Sequence, residues 1–166
     1  FPKTVGQIPF NFPAKPNSQI DGPRKPGLDG NQSRINGALY DFGFGLSYTT
    51  FAYSNLELSA REIRPDESVE VAFDITNTGS RRGDEVVQLY VRDLLSGVTR
   101  PVRELKGFRK VMLRAGESRE VTFTLTPDDL SFWRLDKKWG QEPGDYHVWV
   151  GHDSDCTLGG SFRITE

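Results

Sequence analysis

The acidic, histidine and cysteine side chains that could carry out chemistry fall in a few short clusters. One is the run from Gly151 to Cys156, which contains a histidine, two carboxylates and a thiol. Nucleophilic catalysis needs a nucleophile, a base and an orienting acid in fixed geometry, which residues two apart in an irregular turn do not supply. The neighbouring carboxylates also disfavour the Cys156 thiolate. We therefore expect a solvated loop here, and neither a Cys–His site nor a metal site.

Paired carboxylates are the second chemical candidate, because glycoside hydrolysis uses two carboxyl groups that face each other about 5–10 Å apart. The neighbouring pairs are Asp84 with Glu85 and Asp128 with Asp129. Adjacent residues of a strand point to opposite faces, so the first pair does not converge. The second pair follows a proline and suits the first turn of a short helix. No catalytic, metal-binding or cofactor-binding residue is assigned.

Three tryptophans are candidates for ligand contact, because aromatic rings pack on the apolar faces of ligands. They are Trp133, Trp139 and Trp149. In the alternative interpretation they serve core or edge packing. We retain all three as candidates for sugar stacking, with β-glucan oligosaccharides as the candidate ligands.

The composition excludes several other partners. The chain has 166 residues, with 21 Lys and Arg against 23 Asp and Glu and a formal net charge of −2. This balance gives no electrostatic case for nucleic acid, and the basic stretch from Arg100 to Arg114 is interpreted as a solvated face. No apolar run approaches the roughly 20 residues of a membrane span. The N-terminal residues lack the pattern of a signal peptide.

From about residue 51 onward, apolar residues recur with a period of two, as in strands with one buried face. About seven such strands are expected, separated by turn signals, which is typical of a β-sandwich. Tyr146 follows a tight turn at the start of a strand, the arrangement of a tyrosine corner. Cys156 has no partner for the disulfide of true immunoglobulin domains. We therefore expect an all-β, fibronectin type III-like (immunoglobulin-like) sandwich.

The first 50 residues have a different composition, with 7 of the 17 glycines and 6 of the 10 prolines. Prolines do not suit helix interiors or central strands, so residues 13–37 are expected to form an extended, irregular connector. The apolar residues before it indicate an element separated from a neighbour. We predict that residues 1–50 are the end of a preceding domain plus a connector, and that residues 51–166 form the sandwich.

Several sequence blocks resemble one enzyme family. The run NGALYDFGFGLSYTTF, at 36–51, resembles the junction before the C-terminal fibronectin type III-like domain of glycoside hydrolase family 3. Other blocks that agree in order are VGQIPFNFP, DITNTG, GDEVVQLYVRD, RPVRELKGFRKVMLRAGES and EPGDYHVWVG. The resemblance covers nearly the whole chain, is closest to β-glucosidase-type members, and implies that Val5–Pro13 ends the α/β-sandwich domain.

The resemblance implies that this chain is a non-catalytic brace. In the family, the nucleophilic Asp and the acid/base Glu precede the segment matched here, and the upstream catalytic domains are the expected partners. The parent would be a retaining exo-β-glucosidase, periplasmic or secreted. Arg34, Phe42, Phe44 and Tyr48 are candidates for interdomain or substrate-rim contacts. A carbohydrate-binding module that uses exposed tryptophans is the alternative.

Overall fold

The computed structural model describes residues 40–165, so Arg34 and the predicted connector over 13–37 lie outside the described residues. The described residues belong to two compact units, 40–45 with 153–155 and 46–152 with 156–165. In the smaller unit, the Phe44 N–H donates to the Asp41 carbonyl at 3.1 Å. The rings of Tyr40 and Phe44 stack there with centroids 4.9 Å apart. The predicted division at residue 50 stays a prediction.

The larger unit is built almost entirely from strands. Its only helix within the described range is α1, Pro127–Leu130. The strands are β1 (Phe51–Leu58), β2 (Glu62–Ile63), β3 (Val69–Asn77), β4 (Gly83–Asp93), β5 (Glu104–Leu113), β6 (Ser118–Leu125), β7 (Phe132–Trp133), β8 (Trp139–Gly140), β9 (Gly144–Gly151) and β10 (Leu158–Ile164). The seven longest coincide with the runs in which apolar residues alternate, so the predicted strands are confirmed.

The strands form two facing sheets and a small ribbon. One sheet has three strands in the order β1-β3-β6, and the other has five in the order β2-β10-β9-β4-β5. The ribbon is the pair β7-β8. Pairing is antiparallel except between β10 and β2, which run parallel. The predicted all-β, fibronectin type III-like sandwich is confirmed.

The inner faces of both sheets supply one continuous apolar core. In the smaller sheet, the rings of Phe73 and Phe123 stack with centroids 6.1 Å apart. In the larger sheet, Tyr146 and Phe162 stack at 5.4 Å. Burying a large apolar side chain contributes about 1.5–3 kcal/mol, so this core supplies most of the folding free energy.

The outer face of β4 departs from simple alternation. Gln88 and Tyr90 point away from the core but are only 5% and 1% exposed. The Tyr90 hydroxyl donates to the Gln88 side-chain oxygen, and the Gln88 amide donates to the His152 carbonyl. A second, polar layer therefore covers the centre of this sheet. Alternation alone does not predict this burial, because the partner of Gln88, the His152 carbonyl, comes from far along the chain.

The predicted tyrosine corner is present at the start of β9. The Tyr146 hydroxyl donates to the Glu142 carbonyl at 2.9 Å, and its ring is 1% exposed. Burial raises the pKa of the Tyr146 phenol, and the negative charge of Asp93 raises it further. The phenol therefore remains a hydrogen-bond donor at ordinary pH, and it fixes the turn that leads into β9.

We expect Tyr146→Phe to lower the free energy of unfolding by about 1–3 kcal/mol, because the Glu142 carbonyl loses its partner in a partly buried site. Urea unfolding measures this. Tyr48→Phe is the matched control, because the Tyr48 side chain is 93% exposed. Equal stability of the two variants would show that the corner hydrogen bond contributes nothing.

Candidate functional site

The carboxylate pairs occupy structural positions. Asp84 pairs with the Lys110 ammonium at 2.8 Å, while Glu85 accepts a hydrogen bond from the Tyr53 hydroxyl at 2.8 Å. The two carboxylates have separate partners, as expected for neighbours in a strand. Asp129 accepts from the backbone N–H of Thr126 and closes a capping box at the start of α1. The predicted helix-start role is confirmed.

The run from Gly151 to Cys156 is more buried than the sequence suggests. Asp153 and Ser154 are both 6% exposed and Cys156 is 8% exposed, so the expected solvated loop is wrong. Within the smaller unit, the Ser154 N–H donates to the Phe42 carbonyl at 2.8 Å. In the larger unit, the Arg103 guanidinium donates to the Cys156 carbonyl at 2.7 Å. Such long-range partners are not visible in a local sequence pattern.

The start of the sandwich is held by Asn77, a residue that sequence reasoning missed. Its amide donates to the carbonyls of Arg81 and Leu113, at 2.8 and 3.1 Å. Its side-chain oxygen accepts from the Thr49 hydroxyl at 2.7 Å and from the Gly79 N–H at 3.1 Å. The Asn77 side chain is 0% exposed, and all four of its hydrogen-bonding positions are filled. The motif DITNTG was the available signal, because an Asn-Thr-Gly turn directly follows an alternating strand.

The residues proposed for interdomain contact are exposed to different degrees. Phe42 and Phe44 are 46% and 41% exposed, and the Tyr40 ring stacks on Phe44. Tyr48 and its neighbour Leu46 are 93% and 92% exposed. Tyr48 and Leu46 therefore present nearly their whole apolar surface to solvent beside the first strand.

The structure brings two of the three tryptophans together. Trp133 of β7 and Trp139 of β8 are direct cross-strand partners, and they are 61% and 63% exposed. Trp149 lies elsewhere, on the outer face of β9. The Arg103 guanidinium covers its ring at 4.2 Å from the centroid. Trp149 thus contributes to the polar layer over the larger sheet, apart from the other two indoles.

A partly buried charge cluster supports the ribbon. The Arg100 guanidinium makes two hydrogen bonds to the Glu104 carboxylate, at 2.7 and 3.0 Å, and lies 3.6 Å from Asp93. It also lies over the Phe132 ring of β7, 4.2 Å from the centroid. Lys106 adds a contact to Glu104 at 2.9 Å. The interpretation of the basic stretch as a solvated face is therefore wrong at Arg100 and Lys106, whose side chains are 12% and 17% exposed.

The pKa values of the two carboxyls of this cluster, Asp93 and Glu104, are shifted in opposite directions. Burial raises the pKa of Asp93 above its usual 3.8, and this outweighs the hydrogen bond from the Leu95 N–H and the charge of Arg100. Burial also opposes ionisation of Glu104. There the hydrogen bonds from Arg100 and Lys106 prevail and lower its pKa from the usual 4.5. Glu104 is thus the strongly bound partner of Arg100.

An apolar patch lies on the outer face of β4 and β5. It consists of Val86, Phe108 and Met112, which are 44%, 71% and 45% exposed. We call these three side chains the β5 patch. The register places Val86 opposite Lys110, between the other two along the face. Because β5 is the last strand of its sheet order, the patch borders a sheet edge in the described part of the chain.

The described residues contain no group of three or more His, Cys, Asp or Glu side chains arranged to hold a metal ion. None of their helices has the length and apolar character needed to cross a bilayer.

Comparison with known proteins gives this architecture its family. Residues 85–154 match the family described as fibronectin type III-like domain. The chain is 39% identical to a periplasmic β-glucosidase of Salmonella typhimurium, over 99% of this chain and 22% of that protein. It is 40% identical to a putative β-xylosidase of Formosa agariphila, over 98% of this chain and 20% of the other.

Solved structures show a similarity to the same kind of enzyme. The β-glucosidase of Listeria innocua, in complex with gluconolactone, aligns over 100% of this chain and 23% of its own, with 34% identity and a TM-score of 0.82. The chain carries the C-terminal fibronectin type III-like domain of family 3 glycoside hydrolases. It spans about a fifth of the length of the curated relatives that it matches. The resemblance predicted from the sequence blocks is confirmed.

Gly79 lies so close to Thr49 that a larger residue does not fit there. A Cβ at Gly79 would lie 2.2 Å from the Thr49 hydroxyl, which donates to Asn77. We expect Gly79→Ala to displace Thr49 and to lower the free energy of unfolding by about 1–3 kcal/mol, because Asn77 then loses a buried partner. Chemical denaturation measures the change. Gly45→Ala is the control, because a Cβ there meets nothing within 4 Å. If both substitutions cost the same, the contact at Thr49 is unimportant.

We expect Arg100→Met to destabilise the domain by up to roughly 3 kcal/mol at pH 7, because Asp93 would lose its cation and the partly buried Glu104 would keep only Lys106. The pKa of Glu104 is lowered in the fold from 4.5. Its stabilising contribution is therefore present above that pH and is lost as the pH falls through the lower folded-state value. The deficit of the variant should shrink accordingly towards pH 3. Asp93, whose pKa is raised, reinforces this trend, because protonation removes its unpaired charge.

Urea unfolding at several pH values provides the measurement. Arg64→Met is the matched control, since the Arg64–Glu67 pair lies on the surface with the Arg64 side chain 70% exposed. A deficit for Arg100→Met that equals the control, or that is unchanged at low pH, would contradict an electrostatic role for this cluster.

Proposed function

We propose that this domain is a non-catalytic brace of a larger β-glycosidase, and that its β5 patch packs against the upstream catalytic domains. The patch itself carries the proposal. Exposed apolar side chains beside a sheet edge are a liability for an isolated domain, and they are typical of surfaces that another part of a protein covers. Phe108, 71% exposed, is the largest side chain of the patch.

An ion pair lies within the patch. Lys110 lies between Phe108 and Met112 along β5, and its ammonium pairs with Asp84 at 2.8 Å. Both side chains are partly exposed, so the surface offers a charged pair among its apolar side chains. Protein interfaces combine apolar contacts with polar ones. Leu46 and Tyr48, almost fully exposed, supply a second uncovered surface near the start of β1.

The names of the relatives support a proposal for the activity of the whole protein. The related proteins from Salmonella and Listeria are named β-glucosidases, and one from Formosa is named a putative β-xylosidase. We infer that the parent of this chain is a retaining exo-acting β-glycosidase of the same family, with β-glucosides as substrates. Its Asp nucleophile and Glu acid/base would lie upstream. The Salmonella relative is named a periplasmic enzyme, which supports a periplasmic or secreted location.

The brace is tested with Phe108→Ser in the full-length enzyme. Loss of a central interface side chain costs about 2 kcal/mol of interdomain binding. The half-life of thermal inactivation should therefore shorten several-fold, while kcat/KM for an aryl β-glucoside at 25 °C stays unchanged. In the isolated chain, the same substitution should leave urea unfolding unaltered, because the ring is exposed there.

Leu95→Ser is the matched control, because Leu95 is 81% exposed outside the patch. It should change neither the inactivation rate nor the isolated domain. Equal inactivation half-lives for wild type and Phe108→Ser would refute the interface. Turnover of the aryl β-glucoside by the rigorously purified 166-residue chain would refute the non-catalytic assignment.

A further inference from the structure

The ribbon formed by β7 and β8 has two dissimilar sides. Phe132 points inward, is 8% exposed and lies beneath the Arg100 guanidinium. Because neighbouring strand residues point to opposite faces, Trp133 points outward. Trp139 is its direct partner and shares that outer side. We call this outer side, with its two indoles, the tryptophan ribbon.

Several hydrogen bonds and ion pairs hold the ribbon in place. The Arg134 N–H donates to the Lys138 carbonyl and the Lys137 N–H to the Arg134 carbonyl, both at 3.0 Å, which closes the turn between the strands. The Arg134 guanidinium lies 3.3 Å from Asp136 and 3.9 Å from Glu142. Just beyond β8, the Gln141 amide donates to the Pro65 carbonyl. The two indoles are therefore presented by an anchored hairpin, and a ligand would meet them with little ordering cost.

The position of the ribbon separates it from the chain's entry into the sandwich. Strand β1 begins at Phe51 opposite Asn77, and it runs towards Leu58 at the other end of its sheet. The ribbon connects β6 to β9, which starts at Gly144 opposite Ile164 at that same other end. The tryptophans thus lie at the end of the sandwich opposite the start of β1.

The chemistry of the ribbon favours a neutral ligand. Between Phe132 and Glu142 there are three basic residues, Arg134, Lys137 and Lys138, and two acidic ones, Asp136 and Glu142. This near balance gives no strong field for an anion or a cation. Two exposed indoles on one side instead offer flat apolar surface, with polar side chains close by. The sugar rings of a β-linked glucan have flat C–H faces and hydroxyl edges, which match both features.

We propose that the tryptophan ribbon is a binding site for a β-linked glucan chain, in which Trp133 and Trp139 stack on sugar rings. The site goes beyond the bracing function, because it uses a surface separate from the β5 patch. It would hold the enzyme near polymeric substrate while the chemistry takes place in another domain.

Affinity electrophoresis of the 166-residue chain in gels containing soluble mixed-linkage β-glucan tests the site. We expect retardation of the wild type, a loss of affinity of about fivefold for Trp133→Ala or Trp139→Ala, and more than about tenfold for the double variant. Trp139→Tyr should retain most of the binding, because it keeps an aromatic face. Dextran, an α-linked polymer of the same sugar, should cause no retardation.

Leu135→Ala is the matched control, because Leu135 lies in the same hairpin turn and is 73% exposed. It removes apolar surface without removing a ring, and it should bind as the wild type does. Thermal melts of all variants check that the fold is intact. An independent readout on the wild type is acrylamide quenching of tryptophan fluorescence, which the glucan should reduce.

Several outcomes would overturn the proposal. They are no retardation of the wild type, equal retardation by dextran, unchanged affinity of the double variant, and unchanged quenching in the presence of glucan. Sedimentation tests a different occupant. Association that rises with protein concentration, and that the double variant abolishes, would assign the tryptophan ribbon to contact between two copies of this chain and would overturn the glucan site.

Discussion

The facing of two sheets is the constraint on which the rest of this domain depends. Each sheet places one side of its strands inside, and Phe73, Phe123, Tyr146 and Phe162 fill the space between them. Because the side-chain period of a strand is two, fixing the inner row also fixes the outer row. The outward orientation of alternate side chains in β4, β5 and β9 is therefore fixed. These outer side chains differ in whether another part of the structure covers them.

Three outer surfaces illustrate three outcomes of this constraint. Over the centre of β4, the polar layer of Gln88 and Tyr90 is buried. At the edge, Phe108 and its neighbours stay exposed and form an apolar patch. On the short ribbon, the inner side carries Phe132 under a cation and the outer side carries two indoles. The same alternation thus produces a closed layer, an open patch and an aromatic platform.

Local patterns in the sequence predicted much of the fold, and the long-range contacts explain where prediction stopped. The strands, the Tyr146 corner and the helix start at Asp129 each depend on residues close in sequence. The burial of Ser154 depends on a partner 112 positions earlier, the Phe42 carbonyl. Likewise, spacing in the sequence did not separate Trp149 from the other two tryptophans. Only the strand register pairs Trp133 with Trp139, because their hairpin turn determines which residues face each other.

Arg100 contacts both strand β5 and the β7-β8 ribbon. Its guanidinium binds Glu104 at the start of β5 and at the same time lies over Phe132 on the inner side of the ribbon. One partly buried cation therefore connects the strand that carries the β5 patch to the hairpin that carries the indoles. Because the guanidinium is planar, it bonds the carboxylate along its edge while its face remains available to the ring. A lysine offers no such plane, so Arg rather than Lys at position 100 allows both contacts to form together.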